Sequence, residues 1–168
     1  MQKITAYSLE QITNYPYDSH IRFQLTASTP ATFSVFLRIP EWASKASVTV
    51  NGILGSKKLV PGSFAEIRRL WRNGDRMELD LPLVNRLEAV DAQHPDTVAL
   101  VTGPLVLMAS RSDAREAAPE LPQEPFTRAV LLSAKQISTQ SDQWTAGTRA
   151  GILRLKPFLD IQDEKFTT

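Results

Sequence analysis

The chain has 168 residues, no cysteine and a formal net charge of +1, and 42% of its residues are hydrophobic. This length suits one ordinary domain, or a domain with a small companion, and the composition is that of a globular protein. The balanced charge excludes a basic nucleic-acid surface, and the lack of cysteine excludes disulfides and thiolate chemistry. No apolar run approaches the roughly 20 residues that span a bilayer, so no membrane partner is predicted.

The first half of the chain alternates between apolar and polar side chains with a period of two. Such alternation places the apolar residues on one side of a pleated strand, and it predicts antiparallel strands with one face in water. The segments with this pattern are residues 21–25, 33–39, 48–50, 65–71 and 77–83. Phe36 breaks the alternation of the second segment.

Turn residues lie between these segments. Asn51-Gly52 tolerates the two positive φ angles of a type I′ hairpin turn. Pro61-Gly62 suits a type II turn, in which proline presets φ and glycine accepts the positive angle. Asn73-Gly74-Asp75 predicts a tight hairpin between the strands on either side of it.

The second half of the chain has a different texture. Residues 98–109 (VALVTGPLVLMA) form a nearly continuous apolar run, which predicts one or two strands buried on both faces and broken at Gly103-Pro104. Residues 111–125 are rich in charge, alanine and proline, and they predict an exposed loop or linker. Weaker strand candidates are residues 130–132, 144–145 and 151–155.

These patterns predict an all-β fold, an antiparallel and jelly-roll-like β-sandwich. Residues 1–95 are expected to form the main sandwich. Residues 96–168 are expected to supply additional strands or part of a second, smaller sandwich.

No group of residues in the sequence supports catalysis or cofactor binding. The two histidines, His20 and His94, lie in predicted loops, and no metal-ligand spacing surrounds them. Glycoside hydrolysis needs two facing carboxyl groups, whereas Glu78 and Asp80 alternate outward on a wet strand face. We therefore predict no catalytic residue, no metal site and no cofactor in this chain.

Aromatic residues are the remaining candidates for a functional surface. The ring of Trp42, Trp71 or Tyr15 could stack on the C–H face of a sugar, and Arg38 lies close to Trp42 in sequence. Packing in the core or against another domain is the alternative for each ring. These four residues are the candidates for a carbohydrate-binding or domain-contact site.

Several strings, in this order, resemble one protein family. They are residues 11–16 (QITNYP), 37–43 (LRIPEWA), 48–52 (VTVNG), 69–75 (RLWRNGD), 98–106 (VALVTGPLV) and 155–158 (LKPF). Together they are similar to the post-barrel β-sandwich of glycoside hydrolase family 127, the β-L-arabinofuranosidase-like proteins. The resemblance implies a parent protein with an (α/α)6 barrel that hydrolyses L-arabinofuranosides or related plant glycans.

The resemblance also implies that the catalytic glutamate and zinc-binding cysteines belong to the barrel, so no catalytic position is carried over to this chain. The expected function is that of a non-catalytic accessory β-sandwich cut from a larger hydrolase, with the parent barrel as its partner. A carbohydrate-binding module and a structural oligomerisation domain, such as a homodimer, stay open as alternatives. Any export signal of a periplasmic or secreted parent would lie outside this chain.

Overall fold

The structure, a computed structural model, describes residues 6–109, 127–138, 142–149 and 151–161. Within them the chain forms thirteen strands, one short α-helix and one 3-10 turn. The strands are β1 (Tyr7–Thr13), β2 (His20–Ala27), β3 (Ala31–Arg38), β4 (Ser47–Val50), β5 (Ile53–Leu54), β6 (Phe64–Trp71), β7 (Arg76–Asp80), β8 (Asn85–Ala89), β9 (Val98–Thr102), β10 (Leu105–Ala109), β11 (Lys135–Gln136), β12 (Trp144–Thr148) and β13 (Gly151–Pro157). The helix α1 is Arg128–Leu132, and the 3-10 turn is Phe158–Asp160. All strand pairs are antiparallel, which confirms the predicted all-β class.

The chain divides into two compact units, Met1–Leu83 (unit 1) and Val84–Thr168 (unit 2). The sequence analysis expected the boundary between the two parts of the chain at residue 95. The structure divides earlier because β8 pairs with β9, from Asn85 opposite Thr102 to Ala89 opposite Val98.

Unit 1 contains a five-stranded sheet and a two-stranded sheet. The strand order of the larger sheet is β1-β2-β7-β4-β5, and the smaller sheet pairs β3 with β6. One hydrophobic core joins them, which makes unit 1 a sandwich. Its buried members are Ile21, Phe23, Leu25, Leu37, Ile39, Ala43, Val48, Trp71, Met77, Leu79 and Leu81.

The turns of unit 1 partly follow the predictions. Asn51 and Gly52 have φ angles of 52° and 78° and join β4 to β5, so the predicted hairpin is confirmed. Gly62 follows Pro61 and has a φ of 78°, and Ser63 N donates a hydrogen bond to the Val60 carbonyl oxygen. These are the features of a type II turn, as predicted.

The predicted hairpin at Asn73-Gly74-Asp75 is wrong. β6 pairs with β3, whereas β7 pairs with β2 and β4, so this turn carries the chain from one sheet of the sandwich to the other. Gly74 still adopts the expected positive φ of 83°. Local turn chemistry specified the tight bend but not the partner of the strand that follows.

Unit 2 is built on a six-stranded sheet with the order β11-β12-β13-β10-β9-β8. The apolar run at residues 98–109 forms β9 and β10, and the chain turns between them at Gly103-Pro104, as predicted. The strand candidates at 144–145 and 151–155 lie in β12 and β13.

One weaker strand prediction in unit 2 is wrong. Residues 130–132 lie in the helix α1, which begins after Thr127, whose hydroxyl oxygen accepts a hydrogen bond from Val130 N over 3.3 Å. This side-chain cap supports a helical turn over a short apolar run that fits either structure. The loop predicted at residues 111–125 lies outside the described residues. None of the helices described is long and apolar enough to cross a membrane.

Candidate functional site

Trp71 is part of the core of unit 1. Its side chain is 0% exposed, and its indole Nε1 donates a hydrogen bond to the Phe33 carbonyl oxygen over 3.0 Å. The Phe33 ring lies 5.9 Å from the indole between centroids, and the Arg69 guanidinium lies 5.2 Å from its centroid. Full burial leaves this indole no surface on which a sugar could stack.

Trp42 and Tyr15 are half-buried, and both pack against the core of unit 1. Burial raises the pKa of the Tyr15 phenol. Trp42 follows the buried Ile39 and precedes the buried Ala43, whose N–H donates to the Pro40 carbonyl oxygen in a tight turn. The turn fixes where Trp42 lies at the edge of the core.

The outer face of the β3–β6 sheet carries two exposed phenylalanines. Phe36 is 59% exposed and Phe64 is 62% exposed. Because Phe36 lies opposite Glu66 and Arg38 lies opposite Phe64, the two rings are diagonal neighbours on one face. The Arg38 guanidinium lies 5.4 Å from the centroid of the Phe64 ring. We call Phe36, Phe64 and Arg38 the aromatic face.

Hydrogen bonds fix the surroundings of the aromatic face. The Arg38 Nη1 donates to the Gly62 carbonyl oxygen over 2.7 Å, which anchors the guanidinium beside Phe64. The Ser34 hydroxyl donates to a Glu66 carboxylate oxygen over 2.6 Å. Of the four predicted site residues, only Arg38 lies on this face.

The sequence analysis did not propose Phe36 and Phe64 as site residues. A signal for Phe36 was present, because it interrupts the alternation of β3 with an aromatic residue. Phe64 precedes the alternating segment that was recognised at 65–71, so its face became evident only from the pairing of β6 with β3.

Asp75 is a buried carboxylate with a structural environment. It accepts hydrogen bonds from Asn51 Nδ2 and from the Arg72 backbone N–H, each over 2.9 Å, and Arg69 Nη2 lies 3.9 Å away. Burial by itself would raise the pKa of Asp75, but these hydrogen bonds and the charges of Arg69 and Arg72 outweigh it and lower the pKa. A carboxylate held in its ionised form in this way is unsuited to donate a proton as a general acid.

His20 lies at the start of β2 between two carboxylates. Its Nδ1 is 3.0 Å from Asp18 Oδ1, and its Nε2 is 3.7 Å from Asp80 Oδ1. The hydrogen bond with Asp18 raises the pKa of His20, with a smaller contribution from the charge of Asp80, and the same hydrogen bond lowers the pKa of Asp18. The imidazole is largely exposed, and among the described residues the hydroxyl group hydrogen-bonded to it is that of the neighbouring Ser19, at 3.1 Å.

No part of the chain that the structure describes gathers three or more histidine or acidic side chains in a way that would hold a metal ion. The apolar run at residues 98–109 is mainly buried, and the large hydrophobic side chain that it exposes is that of Val106. The run therefore offers little apolar surface for a symmetric contact between copies.

The fold defines the chain as an all-β protein whose first unit is a two-sheet sandwich. Residues 2–83 match the family model described as "Beta-L-arabinofuranosidase, GH127 middle domain". Nearly the whole of unit 1 thus matches the middle domain of glycoside hydrolase family 127, which confirms the resemblance drawn from the sequence strings.

The likeness to known proteins extends beyond unit 1. A non-reducing end β-L-arabinofuranosidase from Bifidobacterium longum subsp. longum is 31% identical over 117 residues, which cover 63% of this chain and 17% of the relative. A family 127 β-L-arabinofuranosidase from Geobacillus stearothermophilus T6 shares the fold with a TM-score of 0.68 and 23% identity, over 92% of this chain and 28% of that structure.

A second solved structure, titled a glycoside hydrolase, shares the fold with a TM-score of 0.65 and 20% identity, over 97% of this chain and 33% of its own. The chain thus spans about a sixth of the curated relative and about a third or less of these two structures.

Proposed function

We propose that this chain is a non-catalytic accessory β-sandwich of a glycoside hydrolase that acts on L-arabinofuranosides or related plant glycans. Its partner would be the (α/α)6 catalytic barrel of the same protein, and the aromatic face would be the contact. The observation that carries this proposal is the exposure of Phe36 and Phe64 on one sheet face of the family's middle domain. Exposed aromatic residues of this size are typical of surfaces that another domain covers.

The environments of the acidic residues support a non-catalytic role. Asp75, Glu66 and Asp18 each accept a hydrogen bond from a side chain of unit 1. Each of these carboxylates is thus engaged in a structural contact, whereas glycoside hydrolysis requires two carboxyl groups that face each other across the sugar.

The lack of catalysis is tested with the purified chain and an aryl β-L-arabinofuranoside. The Bifidobacterium longum relative serves as the positive control, and a cooperative thermal melt shows that the chain is folded. We expect no turnover above buffer. Turnover that survives repeated purification would overturn the non-catalytic assignment.

The contact is tested by sedimentation of the chain with the segment of the Bifidobacterium longum relative that precedes its matched region. We expect complex formation, and at least a tenfold weaker complex for Phe36→Ser combined with Phe64→Ser. Phe158→Ser in unit 2 is the matched control, because Phe158 is equally exposed at 58%. A complex that is absent, or that both variants weaken equally, contradicts the proposed contact.

A further inference from the structure

The outer face of the five-stranded sheet of unit 1 contains a shallow depression of about 240 Å³. On this face Arg22 of β2 lies opposite Glu78 of β7, and Gln24 of β2 lies opposite Arg76 of β7. The four positions form a two-by-two grid in which each arginine is diagonal to the other. This face is the opposite side of the sheet from the core, because the alternating neighbours Phe23 and Met77 are buried.

The polar groups of this grid have capacity for a ligand. Among the residues that the structure describes, the guanidinium groups of Arg22 and Arg76 form no hydrogen bond and no ion pair, although Glu78 lies directly opposite Arg22. One Glu78 oxygen, Oε2, accepts a hydrogen bond from Thr49 over 3.4 Å. Oε1 of the same carboxylate, the Gln24 amide and the two guanidinium groups also lie at the surface.

We propose that this grid binds a neutral saccharide. Adjacent hydroxyl groups of a sugar both donate and accept hydrogen bonds, and they match a surface on which guanidinium donors alternate with carboxylate and amide acceptors. Ile12 lies opposite Arg22 on β1, is 48% exposed and lines the depression, so it offers an apolar contact for the C–H face of the ring. The carboxylate of Glu78 can only accept hydrogen bonds, so it would find no partner on an anion but would find one on a sugar hydroxyl group, which favours the neutral ligand.

The test is a titration of the full chain with L-arabinose and with arabino-oligosaccharides from arabinan, followed by calorimetry and amide chemical shifts. We expect saturable binding with shifts centred on β2 and β7. Arg22→Ala and Glu78→Gln should each weaken binding at least tenfold. Arg68→Ala is the matched control, because Arg68 is an exposed strand arginine on the outer face of the other sheet.

A parallel titration with galacturonate and inorganic phosphate distinguishes an anion site from a saccharide site. Binding of these anions without binding of the neutral sugars, strengthened by Glu78→Gln, would overturn the proposal. So would the lack of any binding, or equal losses in Arg68→Ala. The aryl arabinofuranoside assay does not depend on this depression, so this inference and the proposed function can fail separately.

Discussion

Asn51 donates a hydrogen bond from its side-chain Nδ2 to Oδ1 of Asp75 over 2.9 Å. The Asn51 side-chain oxygen in turn accepts from the Arg76 backbone N–H over 2.8 Å. Asn51 lies in one of the strings by which the sequence resembles its family, and Asp75 ends another. Their hydrogen bond joins the β4–β5 turn to the turn that crosses between the sheets. Their presence in those strings therefore has a structural explanation that needs no substrate.

Removing either partner of this hydrogen bond should destabilise unit 1. Asp75→Ala leaves the Asn51 amide and the Arg72 N–H without their acceptor, and we expect a loss of about 2–4 kcal/mol in the free energy of unfolding. The double variant with Asn51→Ala should lose less than the sum of the single losses, by about 1 kcal/mol or more. Chemical denaturation measures all three.

Asp96→Ala is the control for this series, because its side chain is 98% exposed and should change stability by less than about 0.5 kcal/mol. Additive losses in the double variant would show that the two side chains do not support one another.

The pairing of His20 predicts that stability depends on pH. Because the pKa of His20 is raised in the folded chain, the protonated imidazole stabilises it fully below the unfolded value of about 6.5. This stabilisation is lost as the pH rises through the raised pKa. The midpoint temperature of thermal unfolding should therefore fall as the pH rises from about 6.5 through the raised pKa of His20. His20→Asn should flatten this part of the plot of midpoint against pH.

The charges that face His20 are Asp18, Asp80 and Arg22, and the arginine opposes the effect of the two carboxylates. His94→Asn is the control, because it leaves His20 as the chain's only histidine and should preserve the fall. A profile of His20→Asn that matches the unchanged chain would exclude this pair as its source.

Substitution of two phenylalanines of β3 should change the free energy of unfolding by very different amounts. Phe33 contacts Trp71 and lies 5.2 Å from the Tyr7 ring, so Phe33→Ala should cost about 3 kcal/mol or more. Phe36, three residues later, is on the exposed face, and Phe36→Ala should change stability by less than about 1 kcal/mol. Urea denaturation of both variants measures the difference, and equal losses would mean that the outer face is covered within the chain.

The boundary between the units can be measured with fragments. A fragment of residues 84–168 keeps β8 paired with β9, whereas a fragment of residues 96–168 loses the whole of β8. We expect the shorter fragment to melt at a lower temperature and to expose more apolar surface to a hydrophobic dye. Indistinguishable melts would favour a boundary near residue 95.

The sequence predicted five of the seven strands described in unit 1, namely β2, β3, β4, β6 and β7, because one face of each packs on the core and burial imposes a period of two. It did not predict β1 or β5, whose residues are all exposed. It also predicted the turns at Asn51-Gly52 and Gly103-Pro104, since these residues favour particular backbone angles whatever surrounds them. It could not assign β7 to its sheet, because the partner of a strand depends on residues distant in sequence. The helix at Arg128–Leu132 was missed for a related reason, since four apolar residues do not distinguish a helical turn from a short strand.

The candidate site was less accessible from sequence. Trp71 is the last residue of β6 and Trp42 follows the end of β3 by four residues, yet the first is fully buried in the core and the second lies at its edge. Only the pairing of β3 with β6 determines which ring is covered. The same pairing brings Phe36 next to Phe64, two residues that are 28 positions apart in the chain.

In the part of the chain that the structure describes, β3 and β6 pair only with each other, so each has one edge with unpaired backbone N–H and C=O groups. Such an edge is a template for another strand. Charged side chains discourage that addition along β6, which carries Glu66, Arg68 and Arg69, whereas β3 has no charged residue before Arg38. The β3 edge is thus a place where unit 1 can accept an added strand, and where concentrated solutions of the chain can begin to self-associate.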